Sequence, residues 1–254
     1  DRTTRQTWVE IAGVLRQYPQ VLCVVNTRQD CRDLHAQMPE GTIHLSASMC
    51  GEHRARVIAA IKAMLHAGQP VRVVSTQLVE AGVDIDFPVV YRAFTGLSSI
   101  AQSAGRCNRE GRSASPGRVV VFMPPKPAPP GELRKAEDAL SGLLESGADV
   151  ESPESYPEFF RRFYRSQNDL GTAFDGWLTK DARNFQFQFR EAAEAFRMID
   201  DAASATVIVR YGGNDALIRP LLAVGPKRDI MRRLQRFTVN VPRRTLGDLR
   251  EKGF

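Results

Sequence analysis

VRVVSTQLVEAGVDIDFPVVYRAF, residues 71–94, holds two apolar runs separated by a polar turn. The runs VRVVST (71–76) and PVVYRAF (88–94) are short and apolar at nearly every position, which is typical of strands buried on both faces. Ser75 and Thr76 end the first run, where a parallel strand delivers side chains to a ligand. The stretch therefore predicts a parallel sheet with a polar carboxyl edge.

The segments around this stretch repeat the pattern. Short apolar runs predict strands at 21–26 and 117–123, and TIHLS (42–46) is a further strand candidate. Apolar residues at helical spacing predict helices over 4–17, 28–38 and 52–67, and a further helix from Ser98 or Ser99 through QSAGRCNREGR (102–112). Thr27 and Asp30 form a plausible capping pair for the second helix. Alternating strands and helices predict one α/β domain whose parallel strands are joined by right-handed crossovers.

PPKPAPPG (124–131) interrupts the alternation, because five of its eight residues are proline. We expect an α/β domain at 1–123, a proline-rich linker at 124–131, and a smaller, mainly helical region at 132–254. Helices are predicted there at 132–145, 154–166, 188–199 and 226–236, with short strands at 206–211 and 237–241 that pair or join a sheet from outside.

The net charge of +6 is concentrated at one end of the chain. Residues 227–254 contain nine basic and three acidic side chains, so that this segment alone carries the whole excess. A concentrated basic segment suggests contact with a polyanion, although a solvated helix face would look the same. No apolar run approaches the ~20 residues that span a bilayer, so we expect no membrane contact.

The four cysteines form no CxxC pair, which favours a reduced, cytoplasmic setting. Cys31 with His35, and Cys50 with His53, loosely imitate zinc-ligand spacing. True structural zinc sites have tighter paired knuckles, so ordinary packing is the expectation and no metal site is predicted. The chain has no initiator methionine and no signal peptide, which suggests a piece of a longer protein.

In an uninterrupted helix, QSAGRCNREGR would place Gln102, Arg106 and Arg109 on one face, opposite its apolar residues. Gly105 borders that face and would let another group approach the backbone. Two arginines a turn apart suit phosphate oxygens. The alternative is a solvated face on which Arg109 pairs with Glu110.

The turn STQLVEAGVDID (75–86) offers groups for the same kind of ligand. Ser75 and Thr76 can hold a phosphate or simply cap the next turn. Gly82 permits a tight backbone, and Asp84 could accept a hydrogen bond from a ribose hydroxyl. The alternation in VDID predicts that Asp84 and Asp86 face the same side, without a metal.

These two stretches, in this order, resemble motifs V and VI of superfamily 2 helicases. Gln102, Gly105, Arg106 and Arg109 match the Q-x-x-G-R-x-x-R of motif VI. VLCVVNT (21–27) is similar to motif IV. HLSASMCGEHR (44–54), FREAAEAFRMID (189–200) and LQRFTVNVP (234–242) resemble one branch, the CRISPR-associated helicase-nuclease of type I systems.

The resemblance implies a second RecA-like domain that faces ATP and Mg²⁺ held mainly by a first. Arg106 and Arg109 would be arginine fingers, Gln102 would orient water or phosphate, and Gly82, Asp84 and Gly105 would lie against the nucleotide. Single-stranded DNA would meet a further set of residues: Asn26, Thr27, Ser46, Ser75, Thr76, Arg232 and Arg233.

The sequence contains no G-x-x-x-x-G-K-[ST] phosphate loop, no Asp-Glu box and no His-Asp pair. We therefore expect the first RecA-like and nuclease domains elsewhere in a parent protein, and no ATPase activity from these residues alone. The expected partners are those domains, single-stranded DNA and a CRISPR RNA-guided surveillance complex. The alternatives are a non-catalytic RecA-like module that binds DNA or protein, and a repair or RNA helicase of another branch.

Overall fold

A computed structural model describes residues 4–111, 116–167, 171, 174–196 and 204–253. Its centre is a parallel sheet of five strands in the order β2-β3-β1-β4-β5, as the alternation of strands and helices predicted. The strands are β1 (Gln20–Val25), β2 (Ile43–Leu45), β3 (Val71–Thr76), β4 (Val89–Ala93) and β5 (Arg118–Phe122).

Helices cover both faces of this sheet. They are α1 (Trp8–Leu15), α2 (Arg28–His35), α3 (Gly51–His66) and α4 (Leu97–Ala104). Val21, Cys23 and Val25 of β1 pack in the cluster that holds α1 and α2, whereas Leu22 and Val24 pack in the cluster that holds α3. Successive side chains of a strand point to opposite faces, so the continuous apolar run of β1 is the consequence of burial on both.

The predicted helix starts are partly confirmed. Asp30 N–H donates to the Thr27 hydroxyl at 3.0 Å, so Thr27 is the N-cap of α2 as expected. The first helix is shorter than its predicted 4–17, because Thr7 and Glu10 form a capping box that fixes its start at Trp8. Among the described residues, no helix has the length and apolar character needed to cross a bilayer.

The C-terminal region contains more helices than its periodicity predicted. It comprises α5 (Glu132–Glu145), α6 (Ser155–Arg165), α7 (Phe189–Ala195), α8 (Asp215–Val224), α9 (Arg228–Leu234) and α10 (Arg243–Glu251). Neither α8 nor α10 was predicted; α8 carries Pro220 in its interior, which argues against a helix in sequence reasoning. The end of the predicted helix 188–199 falls outside the described residues. The strands β6 (Ser204–Ile208) and β7 (Thr238–Pro242) pair with each other, antiparallel.

The proline-rich linker does not separate two independent cores. Phe94 and Leu97, at the carboxyl end of the sheet, share one buried cluster with Leu140 of α5 and Phe159 of α6. The first two helices after the linker therefore pack directly on the sheet and α4. The domain boundaries drawn from composition remain a prediction, and the described packing crosses the proposed linker.

Candidate functional site

The carboxyl ends of β1, β2 and β3 bring five predicted site residues to one edge of the sheet. The register pairs Val25 with Thr76 and Leu45 with Ser75, so the residues that end or follow these strands are neighbours. The set is Asn26, Thr27, Ser46, Ser75 and Thr76. Parallel pairing alone produces this meeting of segments that are distant in the sequence.

Most of these side chains are turned inward, which differs from the expectation that they face a ligand. Ser46 and Ser75 are fully buried, and Asn26 and Thr76 are nearly so. The Asn26 amide donates to the Phe94 carbonyl at 2.8 Å, and the Ser75 hydroxyl donates to the Thr76 carbonyl at 2.9 Å. The structure thus uses these polar groups to fix the edge, because an unpaired buried polar group is costly. Of the five, Thr27 has a part-exposed side chain.

A buried ion pair, absent from the sequence prediction, lies directly beneath this edge. Arg92 of β4 is 0% exposed, and its Nε lies 3.0 Å from Oε1 of Glu80, without the alignment of a hydrogen bond. The Arg92 guanidinium also donates to Asn26 Oδ1 at 2.7 Å. Burial lowers the pKa of Arg92, and the Glu80 carboxylate opposes that shift. The sequence signal for this ion pair was the arginine inside the otherwise apolar run PVVYRAF, since a buried charge is usually found beside a charge of opposite sign.

The helix that carries the resemblance to motif VI is shorter than predicted. It ends at Ala104, and Gly105 is its C-cap rather than a glycine inside it. Asn108 adopts a φ of 46°, and the backbone beyond the cap runs beside Phe87 in a parallel bridge. Phe87 N–H donates to the Arg106 carbonyl, and Asn108 N–H donates to the Phe87 carbonyl. The helical face assigned to Arg106 and Arg109 is therefore wrong, because both residues lie beyond the helix; Arg112 lies outside the described residues.

Arg106 is anchored to its own domain. Its Nε donates to the Val79 carbonyl at 2.9 Å, and its Nη2 donates to the Glu80 carbonyl at 2.7 Å. These carbonyls belong to the short turn after β3, which includes the 3-10 helix Gln77–Val79. The guanidinium of Arg106 thus fixes the turn to the segment after α4, instead of extending outward as the helical interpretation required.

Arg109 has the opposite environment, because its side chain is 46% exposed. Its Nη1 pairs with Oδ1 of Asp84 at 2.9 Å, and Lys62 of α3 pairs with the other oxygen of the same carboxylate at 3.3 Å. Lys62, and then Arg109, hold the pKa of the Asp84 carboxyl below its usual value. Asp86 accepts the backbone N–H of Arg109 at 2.8 Å, so both acids face this segment as the VDID alternation predicted.

The remaining predicted nucleotide residues lie on the two segments that lead to this corner. Gly82 is exposed with a φ of 70°, a conformation that favours glycine and explains its place in the turn. Gln102 is exposed on the last turn of α4. An open depression of about 760 Å³ adjoins the corner, lined in part by Asp84, Asp86 and Lys62.

The basic C-terminal region approaches the carboxyl edge of the sheet, where α3 begins. Tyr211 stacks on His53 of α3 with ring centroids 4.5 Å apart, and Arg56 lies over the Tyr211 ring at 5.4 Å. Arg236 pairs with Glu52, also in the first turns of α3. A helix that follows a parallel strand begins at the strand's carboxyl edge, so these contacts place the C-terminal region beside the candidate site. Arg232 and Arg233, on α9, are exposed.

Cysteine and histidine play packing roles in the described residues. Cys31 is buried and donates from its thiol to the Val74 carbonyl, and burial raises its pKa to about 12. His35 packs edge-on against His44. Within the described ranges, no three His, Cys, Asp or Glu side chains are grouped so as to hold a metal ion.

Comparisons with known proteins identify relatives for this arrangement. The family described as the C-terminal part of the CRISPR-associated nuclease/helicase Cas3 matches residues 17–112. The CRISPR-associated nuclease/helicase Cas3 of Haloferax volcanii is 35% identical over 116 residues, which cover 42% of this chain and 12% of that protein.

Solved structures carry the likeness over more of the chain. The crystal structure of T. fusca Cas3 with ATP aligns at a TM-score of 0.55 and 21% identity, over 92% of this chain and 33% of that one. A second T. fusca Cas3 structure aligns at a TM-score of 0.55 and 19% identity, over 92% of this chain and 34% of that one. The likeness establishes the RecA-like fold, in a chain that spans about a third of those proteins.

Proposed function

We propose that this chain, whose residues 17–112 match the Cas3-like C-terminal family, is the second RecA-like half of an ATP-dependent single-stranded DNA translocase. In this role it supplies one side of an ATP site and one side of a DNA path. The observation that carries the proposal is the contrast between Arg106, which is anchored to the turn after β3, and Arg109, which stands exposed beside it.

The residues of this corner fit a polyphosphate presented from another domain. Within the described residues, the guanidinium of Arg109 pairs with the Asp84 carboxylate, which is itself 63% exposed, and such exposed pairs are weak. A phosphate oxygen can therefore replace the Asp84 oxygen at small cost. Bound ATP with Mg²⁺ supplies the phosphoanhydride that is cleaved. Arg109 would stabilise the charge that develops on the phosphoryl oxygens, while Arg106 keeps the segment in position.

Two neighbouring groups have supporting roles in this proposal. Gln102, exposed on α4, would orient the attacking water or a phosphate oxygen. Asp84 and Gly82 would lie on the ribose side, and Gly105 ends the helix so that Arg106 and Arg109 reach the corner. No other described residue is needed for this half of the site, because the phosphate loop would belong to the first domain.

We place single-stranded DNA along the carboxyl edge, between β1 to β3 and the basic C-terminal region. The part-exposed Thr27 and backbone groups at the strand ends would contact phosphates, while the buried Asn26, Ser46, Ser75 and Thr76 would hold that edge in shape. Arg232 and Arg233 would add phosphate contacts from α9. Such phosphate contacts do not depend on the nucleotide sequence, as movement along a DNA strand requires.

The proposed biological setting follows from the family. The first RecA-like and nuclease domains would lie elsewhere in a longer protein, which would degrade invading DNA in the cytoplasm after recruitment by a CRISPR RNA-guided surveillance complex. The described residues contribute the arginines and part of the DNA path to that activity.

The experiment measures ATP turnover and DNA affinity of the full-length protein with Arg109→Ala and Arg106→Ala. We expect turnover to fall by about 10³ or more for Arg109→Ala, as for arginine fingers in related phosphoryl-transfer systems. DNA affinity should stay within a few-fold. Arg161→Ala is the matched control, because Arg161 is likewise exposed and paired with a carboxylate, that of Glu158, but within α6. Parallel loss of turnover and DNA affinity would instead assign the arginines to DNA binding.

A further inference from the structure

Glu80 lies at a junction of three segments that the resemblance treats as separate motifs. Its Oε2 accepts the hydroxyl of Ser99 at 2.7 Å, and its Oε1 accepts the hydroxyl of Ser103 at 3.0 Å. Both serines belong to α4, the helix that leads to the two arginines. The carboxylate is 8% exposed at the residue level, so these bonds form away from solvent.

Arg92 extends the same set of bonds to the DNA side. Its Nη2 donates to the Ser99 hydroxyl at 2.9 Å, and its Nη1 donates to Asn26 Oδ1 at 2.7 Å. Asn26 in turn donates to the Phe94 carbonyl at the end of β4. The pair therefore ties the end of β1 to α4 through a fully buried guanidinium.

The backbone of Glu80 completes the connection. Its carbonyl accepts Nη2 of Arg106, so one residue is bonded through its side chain to α4 and through its main chain to the segment after α4. A shift of Arg106 would pull on the turn that holds Glu80. That movement would be transmitted to Arg92 and Asn26, because Glu80, Arg92 and Asn26 are buried and are joined by direct bonds, one of them through the half-buried Ser99.

The ion pair is an expensive way to stabilise a core. Apolar side chains of similar volume often stabilise a buried site as well as an ion pair does, because the charges must be removed from water. A buried polar network instead fixes a particular arrangement of the segments that it joins. The choice of Glu and Arg at this junction thus points to a role in arrangement more than in stability.

We propose that Glu80 and Arg92 are positioning residues that couple the arginine-bearing segment after α4 to the DNA-facing end of β1. The inference rests on the proposed function and names the internal connection by which DNA would stimulate ATP turnover. Neither residue touches the nucleotide or the DNA in this account. Removing the connection should uncouple the two sites while leaving each able to bind.

The test measures ATP turnover of the full-length protein with and without single-stranded DNA, for wild type and Glu80→Gln. We expect the ratio of stimulated to basal turnover to fall about tenfold. The KM for ATP, the DNA concentration at half-stimulation and the basal turnover should stay within about twofold. A structural role alone would lower both turnovers together and would not change their ratio.

Two further variants address the stability of the protein. Ser99→Ala and Ser103→Ala each remove one hydroxyl from Glu80 and leave the ion pair intact. Each should lower the stimulation ratio about two- to threefold, with a fall in melting temperature of only a few degrees. They decide the matter if Glu80→Gln does not fold. The matched control is Arg134→Gln, because Arg134 also pairs with a buried glutamate, Glu137 of α5, and the hydrogen bonds described for that pair go to Ala128 instead of to Glu80, Arg92 or the two serines.

The outcomes separate this inference from the function on which it rests. A wild-type protein whose ATP turnover ignores single-stranded DNA overturns the proposed function and the coupling with it. If DNA stimulates the wild type and the Glu80 and serine variants keep the same ratio of stimulated to basal turnover, the coupling is overturned and the proposed function stands. A ratio that falls equally in Arg134→Gln also overturns it, because the effect would then follow from any altered ion pair.

Discussion

At the carboxyl edge of the sheet, polar side chains are buried and bonded to one another, whereas the arginines of α9 stand in solvent. Arg92 makes four hydrogen bonds and an ion pair within the core, while Arg232 and Arg233 are exposed. The first arrangement holds atoms in fixed positions, as chemistry and coupling require. The second provides charge without fixed geometry, which is sufficient for contact with a phosphate backbone. The two regions should therefore respond oppositely to substitution.

The largest expected effect is on folding stability at the buried edge. Arg92→Ala leaves the Glu80 carboxylate buried without its charge partner, which should lower the free energy of unfolding by about 3–5 kcal/mol. Arg233→Ala, the matched change on the exposed face, should alter it by less than about 0.5 kcal/mol. Urea unfolding of both variants measures the difference. Equal free energies of unfolding for the Arg92→Ala and Arg233→Ala variants would contradict the contrast between the buried edge and the exposed face of α9.

A smaller effect, of the opposite kind, is expected at the basic face. Replacing Arg232 and Arg233 together by Gln should reduce the slope of log affinity against log salt for single-stranded DNA by about 1.4, from about 0.7 per lost phosphate contact. Stability should not change. The control replaces Arg16 and Arg118, exposed at the amino edge of the sheet. An unaltered slope in the Arg232 and Arg233 variant would show that α9 lies off the DNA path.

The smallest effect is expected at the exposed pair between Arg109 and Asp84. Asp84→Asn should change the melting temperature at pH 7 by less than about 2 °C, because exposed ion pairs contribute little. The folded protein lowers the pKa of Asp84, so the contribution is present above the unfolded pKa and is lost as pH falls through the lowered value. Wild type and variant should therefore melt alike in acid, once the pH lies below the lowered pKa of Asp84. A larger difference in acid than at pH 7 would contradict this sign.

The sheet could be predicted because its signals are local. Four of the five strands lie in short, mostly apolar runs, and β1 is buried on both faces as its composition requires. The helix α8 could not be predicted, since Pro220 stands in its interior and its support comes from packing in the C-terminal cluster. The spacing of apolar residues was therefore enough to predict the strands of the sheet. It was not enough for α8, where tertiary contacts offset the unfavourable proline.

The site shows the same limit. The sequence predicts helix through residues 105–109, because nothing local marks the end at Ala104 except Gly105, and the parallel bridge to Phe87 is a long-range contact. The Glu80 and Arg92 pair was missed for a related reason, since the two residues are adjacent only after β4 joins the sheet. Sequence identified which residues gather at the carboxyl edge, and the structure determined which of them face inward.

The most direct test of the account is ATP turnover by this chain alone in the presence of single-stranded DNA. The sequence supplies the exposed Arg109 but no G-x-x-x-x-G-K-[ST] phosphate loop. The account predicts DNA binding without turnover above background, and turnover only when the domain that carries the phosphate loop is present. Robust turnover by the chain alone that survives Arg109→Ala would contradict it.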